Sequence, residues 1–165
     1  MSVAIIMGSK SDLEIVSGAF DVLKEFDVPF TARILSAHRT PKETAEFAAN
    51  AEANGVKVFI CAAGMAAHLA GVVAAETTLP VIGIPIPSKP FEAMDSLLAM
   101  VQMPPGIPVA TVTAGKAGAK NAALLAVEML SLSDANLREA LKQYRIKQRD
   151  QVLAADAQLQ AELGK

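Results

Sequence analysis

Both histidines of the chain, His38 and His68, fall in short segments that follow apolar runs, and each is flanked by groups suited to holding anions. Ser36-Ala37-His38-Arg39-Thr40-Pro41 combines a proton carrier near neutral pH (His38), a permanent cation with forked donors (Arg39) and a hydroxyl (Ser36). Pro41 suits the first turn of a helix with Thr40 as its N-cap, so this segment reads as a loop feeding a helix. Gly8-Ser9-Lys10-Ser11-Asp12 joins a glycine turn to two hydroxyls and an acid at a helix start, where free backbone amides favour an anion. Ser9, Ser11 and Asp12 suit a phosphate or ribose site, whereas Ser11 or Asp12 alone could instead cap the helix by satisfying its amides, and both readings can hold together. Gly64-Met65-Ala66-Ala67-His68-Leu69 brings a second glycine turn and the amides of another helix start, which suit a carboxylate or carbon dioxide. His68 stands open between a structural and a functional role.

The elements that position these segments follow from hydrophobic periodicity. Val3 to Met7, Phe30 to Leu35, Val56 to Ala63, Val81 to Ile86 and Val109 to Thr113 are apolar runs of strand length. Between them lie helical patterns: a stripe of Leu13, Val16, Phe20 and Leu23, a segment from Pro41 to Asn54-Gly55, a small-residue helix from near Ala66, and Ala117 to Leu130. Continuous rather than alternating apolar strands imply burial on both faces, hence a parallel sheet covered by helices. The regular strand–helix alternation gives an open α/β fold with right-handed crossovers. In such sheets ligands bind beyond the carboxyl ends of the strands, where both histidines fall.

The tail differs. From Asp134 no glycine or proline occurs until Gly164, which allows one helix of about 30 residues, roughly 45 Å long. A compact domain of this size is only about 40 Å across. Leu137, Leu141, Tyr144, Val152, Ala155, Leu159 and Leu163 form a stripe along it, interrupted at Gln148. We therefore expect a single domain over 1–165, with an α/β core over 1–133 and a helix over 134–163 that docks on a neighbouring subunit.

Composition excludes several classes. The 165 residues are 52% hydrophobic and 19% charged, unlike a disordered chain. Fifteen basic and 17 acidic residues give a net charge of −2, too balanced for a nucleic-acid-binding field. The opening Met1-Ser2-Val3 lacks a basic signal-peptide region, no apolar run approaches membrane-span length, and the lone Cys61 suits a reducing compartment. The expectation is a soluble cytoplasmic protein. Neither GxxxxGK[ST], GxGxxG, CxxC, HExxH nor GxSxG occurs, so the sequence offers no metal ligand set and no nucleophile elbow.

Taken together, these segments resemble the N5-carboxyaminoimidazole ribonucleotide mutase family of purine biosynthesis (PurE). The resemblance rests on Gly8-Ser9-Lys10-Ser11-Asp12, Ser36-Ala37-His38-Arg39-Thr40-Pro41, Ala66-Ala67-His68-Leu69 and Asp95-Ser96-Leu97. It continues through Val101-Gln102-Met103-Pro104-Pro105-Gly106-Ile107-Pro108-Val109-Ala110-Thr111, then Lys116-Ala117-Gly118 and Asn121-Ala122-Ala123. It implies a three-layer, flavodoxin-like, Rossmann-like domain, assembled as an octamer with sites at subunit junctions. It also implies a cofactor-free isomerase that moves a carboxyl group from the exocyclic nitrogen of aminoimidazole ribonucleotide to ring carbon C4. Carried over by position, Ser9, Ser11, Asp12, Ser36 and Arg39 would grip phosphate and ribose, and His38 would shuttle the proton. Gly64, Ala66, Ala67, His68 and Leu69 would cradle the carboxylate and imidazole. Met65 and Ala70 depart from the usual GGAAHLPG wording, as does the segment from Pro87 to Met94. A related branch carboxylates aminoimidazole ribonucleotide directly with carbon dioxide and carries lysine at the position of Arg39. A non-catalytic nucleotide-phosphate-binding module is the remaining alternative.

Overall fold

The computed structural model describes residues 2–164. Five strands, β1 (Ser2–Met7), β2 (Phe30–Ile34), β3 (Val56–Gly64), β4 (Val81–Ile86) and β5 (Ala110–Thr111), form one sheet. Six helices intervene or follow: α1 (Leu13–Glu25), α2 (Pro41–Asn50), α3 (Leu69–Glu76), α4 (Met94–Val101), α5 (Gly115–Ser131) and α6 (Ala135–Glu162). The strand order is β2-β1-β3-β4-β5 and every pair is parallel. This is the flavodoxin-like order, in which the chain reverses direction across the sheet between β1 and β3 and leaves a crevice at their carboxyl ends.

Alternation along the strands divides the interior into two layers. Val3, Ile5, Val58, Ile60, Ile82 and Ile84 pack against α1 and α5. Ala4, Ile6, Phe59 and Cys61 face Ala48 of α2, Leu69 and Val73 of α3 and Met100 of α4. Alanine permits the closeness of the first layer: Ala119, Ala122, Ala123 and Ala126 of α5 are fully buried. Gly118 on the same helix lies so near the Thr113 carbonyl that any Cβ would overlap it.

Several expectations need correction. Burial on both faces holds for β1, β3 and β4 but not for β2, where Thr31 to Ile34 are exposed because this strand is the sheet edge. The fifth strand shrinks to two residues, since only Ala110 and Thr111 pair with β4. Helix α2 stops at Asn50 and α3 begins at Leu69 rather than near Ala66. Ahead of α3 stands a turn in which Met65 is left-handed, with φ 56°, and the Ala67 amide donates back to the Gly64 carbonyl. Helix α4 has no counterpart in the periodicity reading; it follows left-handed Glu92 and Ala93.

The long tail helix is present over 28 residues, capped by the Asp134 carboxylate, which accepts from the Asn136 and Leu137 amides. Leu137, Leu141 and Tyr144 pack against the first layer, with Tyr144 stacked at a tilt on Phe26. Ion pairs from Arg145 to Glu128 and from Lys147 to Glu25 secure the same half. Beyond these, Val152, Leu153, Leu159 and Leu163 are all at least half exposed. No described helix is long and apolar enough to cross a membrane.

Candidate active site

The first turn after β1 is self-supporting. Ser9 accepts from the Ser11 amide through its hydroxyl while its own amide donates to Asp12 Oδ2 at 3.0 Å, a reciprocal capping box around one 3-10 turn. Ser11 Oγ lies 2.8 Å from Ser9 Oγ and donates to Asp12 Oδ1 at 3.2 Å. The cap acceptor for the turn is thus Ser9 rather than Ser11 or Asp12, and the capped turn displays both hydroxyls at the strand end. Burial raises the Asp12 carboxyl above its ordinary range, opposed by the Ser11 and Ser9 hydrogen bonds and by the Arg39 charge.

After β2, the backbone closes on itself. The Thr40 amide donates to the Ser36 carbonyl at 2.9 Å, and Thr40 Oγ1 accepts from the Ser36 amide at 2.8 Å. Thr40 occupies the N-cap position of α2, but its hydroxyl serves Ser36 instead of the helix amides, correcting the capping role expected of it. Ser36 Oγ in turn accepts from the Arg39 amide and Nε. The guanidinium extends across to β1, where its terminal nitrogen donates to the Gly8 carbonyl at 2.6 Å. Arg39 is thereby oriented over the 9–12 turn rather than free in solvent.

The third turn follows β3. Gly64 pairs with Ile86 across the sheet, and a Cβ on Gly64 would come within 3.1 Å of the Ile86 carbonyl. Left-handed Met65 then turns the chain outward with its side chain exposed, and the Ala67 amide returns to the Gly64 carbonyl. His68 sits at the N-cap of α3, where the first-turn amides lack helical partners.

These turns converge on one cleft of about 640 Å³. Ser9, Ser11, Asp12, Ser36, His38, Arg39, Gly64, Ala66, Ala67, His68 and Leu69 all line it, so every residue singled out from the sequence is brought together. The two histidines, 30 positions apart, touch: His38 Nε2 and His68 Nδ1 are 2.8 Å apart. Sequence reasoning placed both at strand ends but missed this pairing, which depends on β2 and β3 flanking β1 at the crevice. Ser88, in the turn after β4, also lines the cleft, its hydroxyl buried and without a hydrogen-bond partner among the described residues. A larger hollow of about 870 Å³ at the opposite strand ends is lined by no histidine or basic residue. Cys61 takes no part: it is wholly buried, and that burial pushes its thiol far above the range for a nucleophile.

A flavodoxin-like sheet with capped hydroxyls, an anchored guanidinium and paired imidazoles at its switch point defines an α/β enzyme for a small anionic ligand. The family described as AIR carboxylase matches residues 2–151. N5-carboxyaminoimidazole ribonucleotide mutase from Pyrococcus abyssi is 56% identical over 143 residues, 87% of this chain and 81% of that protein. The mutase of the same name from Bacillus subtilis is 52% identical over 95% of this chain and 97% of its own. The crystal structure of Treponema denticola PurE superposes with a TM-score of 0.86 at 32% identity, covering 95% of this chain and 97% of that one. The chain belongs to the AIR carboxylase family.

Proposed function

We propose that the chain is an N5-carboxyaminoimidazole ribonucleotide mutase, an isomerase of purine biosynthesis acting on a small ribonucleotide. The observation that carries this reading is the meeting of His38 with both the anion-binding turn at 9–12 and the amide-rich turn at 64–69 in one cleft. Phosphate and ribose lie against Ser9, Ser11, Asp12, Ser36 and Arg39, where hydroxyl donors and a planar cation match their oxygens.

The reaction then needs one proton carrier. Protonated His38 gives its proton to the exocyclic nitrogen, the N–C bond breaks with its electron pair staying on nitrogen, and carbon dioxide leaves. The 64–69 turn, with its small side chains and the free amides heading α3, holds the carbon dioxide beside the ring. The electron-rich C4 attacks its carbon, forming the new C–C bond, and the displaced C4 proton returns to His38. The proton supplied equals the proton recovered, so the cycle closes on itself. Arg39, rather than lysine, favours this course over direct carboxylation.

In the same reading the chain acts as one catalytic domain over 1–165 in the cytoplasm, where phosphorylated nucleotides reside. It assembles as a homo-octamer in which the distal half of α6 docks on a neighbour. The decisive experiment supplies N5-carboxyaminoimidazole ribonucleotide without ATP or bicarbonate and follows the C4 isomer. His38→Asn should bind ligand yet lose turnover. Product arising only from aminoimidazole ribonucleotide plus bicarbonate would select the direct carboxylase, and ligand binding with no product from either substrate would select a binding module.

A further inference from the structure

A separation of 2.8 Å between His38 Nε2 and His68 Nδ1 is that of a true hydrogen bond, with one proton between two nitrogens. Because it joins unlike nitrogens, it couples the two neutral rings. A proton on His38 Nε2 requires a bare Nδ1 on His68, which puts the His68 proton on its own Nε2. The opposite arrangement places both protons on Nδ1.

Catalysis chooses between them. A proton carrier must alternate between neutral and charged forms, and the charged ring bears protons on both nitrogens. If His68 were the donor, charging His38 would set two N–H groups against each other and break the contact. If His38 is the donor, its Nε2–H bond to His68 persists in both forms, and only Nδ1 changes. Both rings are exposed, and His38 Nδ1 has no protein partner among the described residues, so little else in the structure fixes this imidazole.

We infer that His68 is a positioning residue for His38: its Nδ1 accepts the Nε2 proton, holding ring and tautomer so that His38 Nδ1 exchanges the proton with the ligand. The role in turnover and the choice of tautomer both rest on the mutase reading, whereas the contact between the two rings does not. With only two histidines in the chain, solid-state NMR of ligand-free protein labelled with ¹⁵N-histidine reads both rings directly. At a pH where both are neutral, each ring should show a protonated Nε2 and a bare Nδ1. Protons on both Nδ1 atoms, or averaged tautomers, would overturn the proposal.

Kinetics give the second arm. His68→Leu removes the acceptor and should lower kcat about tenfold to a hundredfold, the range known for losing the partner that orients a metal-bound imidazole, with KM changed little. His68→Asn places a carboxamide oxygen where Nδ1 stood and should recover most of that loss. A loss confined to KM, or equal losses in both variants, would show that His68 meets the ligand or serves the fold instead. If the wild-type protein turned over no mutase substrate, the functional reading would fail while the NMR result still decided the histidine contact.

Discussion

Arg39 does two jobs with one side chain, and they separate on substitution. Its fork reaches Ser36 Oγ and the Gly8 carbonyl, tying the second turn to the first, while its charge faces the 9–12 hydroxyls. Lysine keeps the charge but not the fork. We expect Arg39→Lys to raise KM about tenfold to a hundredfold, the range for losing a hydrogen bond to a charged group, with a smaller change in kcat, as steady-state kinetics would show. Asp12 makes a different case, because burial is the largest influence on its carboxyl and raises its pKa. A raised acid pKa contributes stability that is present below the unfolded value of 3.8 and lost as pH rises through the folded one. At neutral pH the ionised Asp12 is therefore a cost that asparagine would not carry, although its two hydrogen bonds must be remade. Asp12→Asn should leave the denaturation midpoint at pH 7 equal or higher, converge with wild type near pH 3, and weaken ligand binding. A midpoint lowered at pH 7 would mean that the hydrogen bonds to Ser9 and Ser11 outweigh the desolvation. These roles were legible in part: residue types marked Ser9, Asp12, Ser36, Arg39 and both histidines. The Arg39–Gly8 and His38–His68 links were not, because each spans 30 or more positions and depends on the strand order.

At the scale of elements, β1, β3 and β4 declared themselves through unbroken apolar runs, since both of their faces are covered. Edge strand β2 and the two-residue β5 read as equals of the others, because an apolar run does not record which strand lies outside. The late start of α3 was equally invisible: nothing in Met65 announces a left-handed residue, which more often falls to glycine or asparagine. Close approach, by contrast, is visible only in the packing. Gly118 brings α5 against the backbone at Thr113, and the obstacle to a side chain there is a carbonyl that cannot swing aside. We expect Gly118→Ala to destabilise the fold by about 3 kcal/mol or more, the upper end for overpacking, measured by urea denaturation. Gly55, whose added Cβ would meet nothing within 4 Å, is a useful contrast. Its φ of 81° still strains alanine, so Gly55→Ala should cost about 1 kcal/mol from backbone conformation alone.

The whole molecule raises the question of where α6 spends its apolar residues. Its first half is anchored by Leu137, Leu141, Tyr144 and two ion pairs, so the helix is held firmly at one end. The other half carries Val152 at 69% exposure, Leu153 at 58% and Leu163 at 60%, and the described side chains from 149 to 164 hydrogen-bond only to one another. A helix whose far end buries nothing contributes little to the stability of its own chain, and isolated helical segments of that length are marginal in water. Yet its continuation as helix makes sense if another surface covers those residues, each worth about 1.5–3 kcal/mol on full burial. Removing residues 149–165 therefore separates folding from association. The shortened protein should lose only the helical circular dichroism of the removed turns and keep its urea midpoint when both proteins are compared as monomers. Sedimentation velocity should find the intact chain well above its monomer mass of 17.2 kDa and the shortened one shifted to smaller species. An intact chain that sediments as a monomer would leave the exposed leucines unexplained by assembly, and a shortened chain that unfolds would place their contribution within the single subunit.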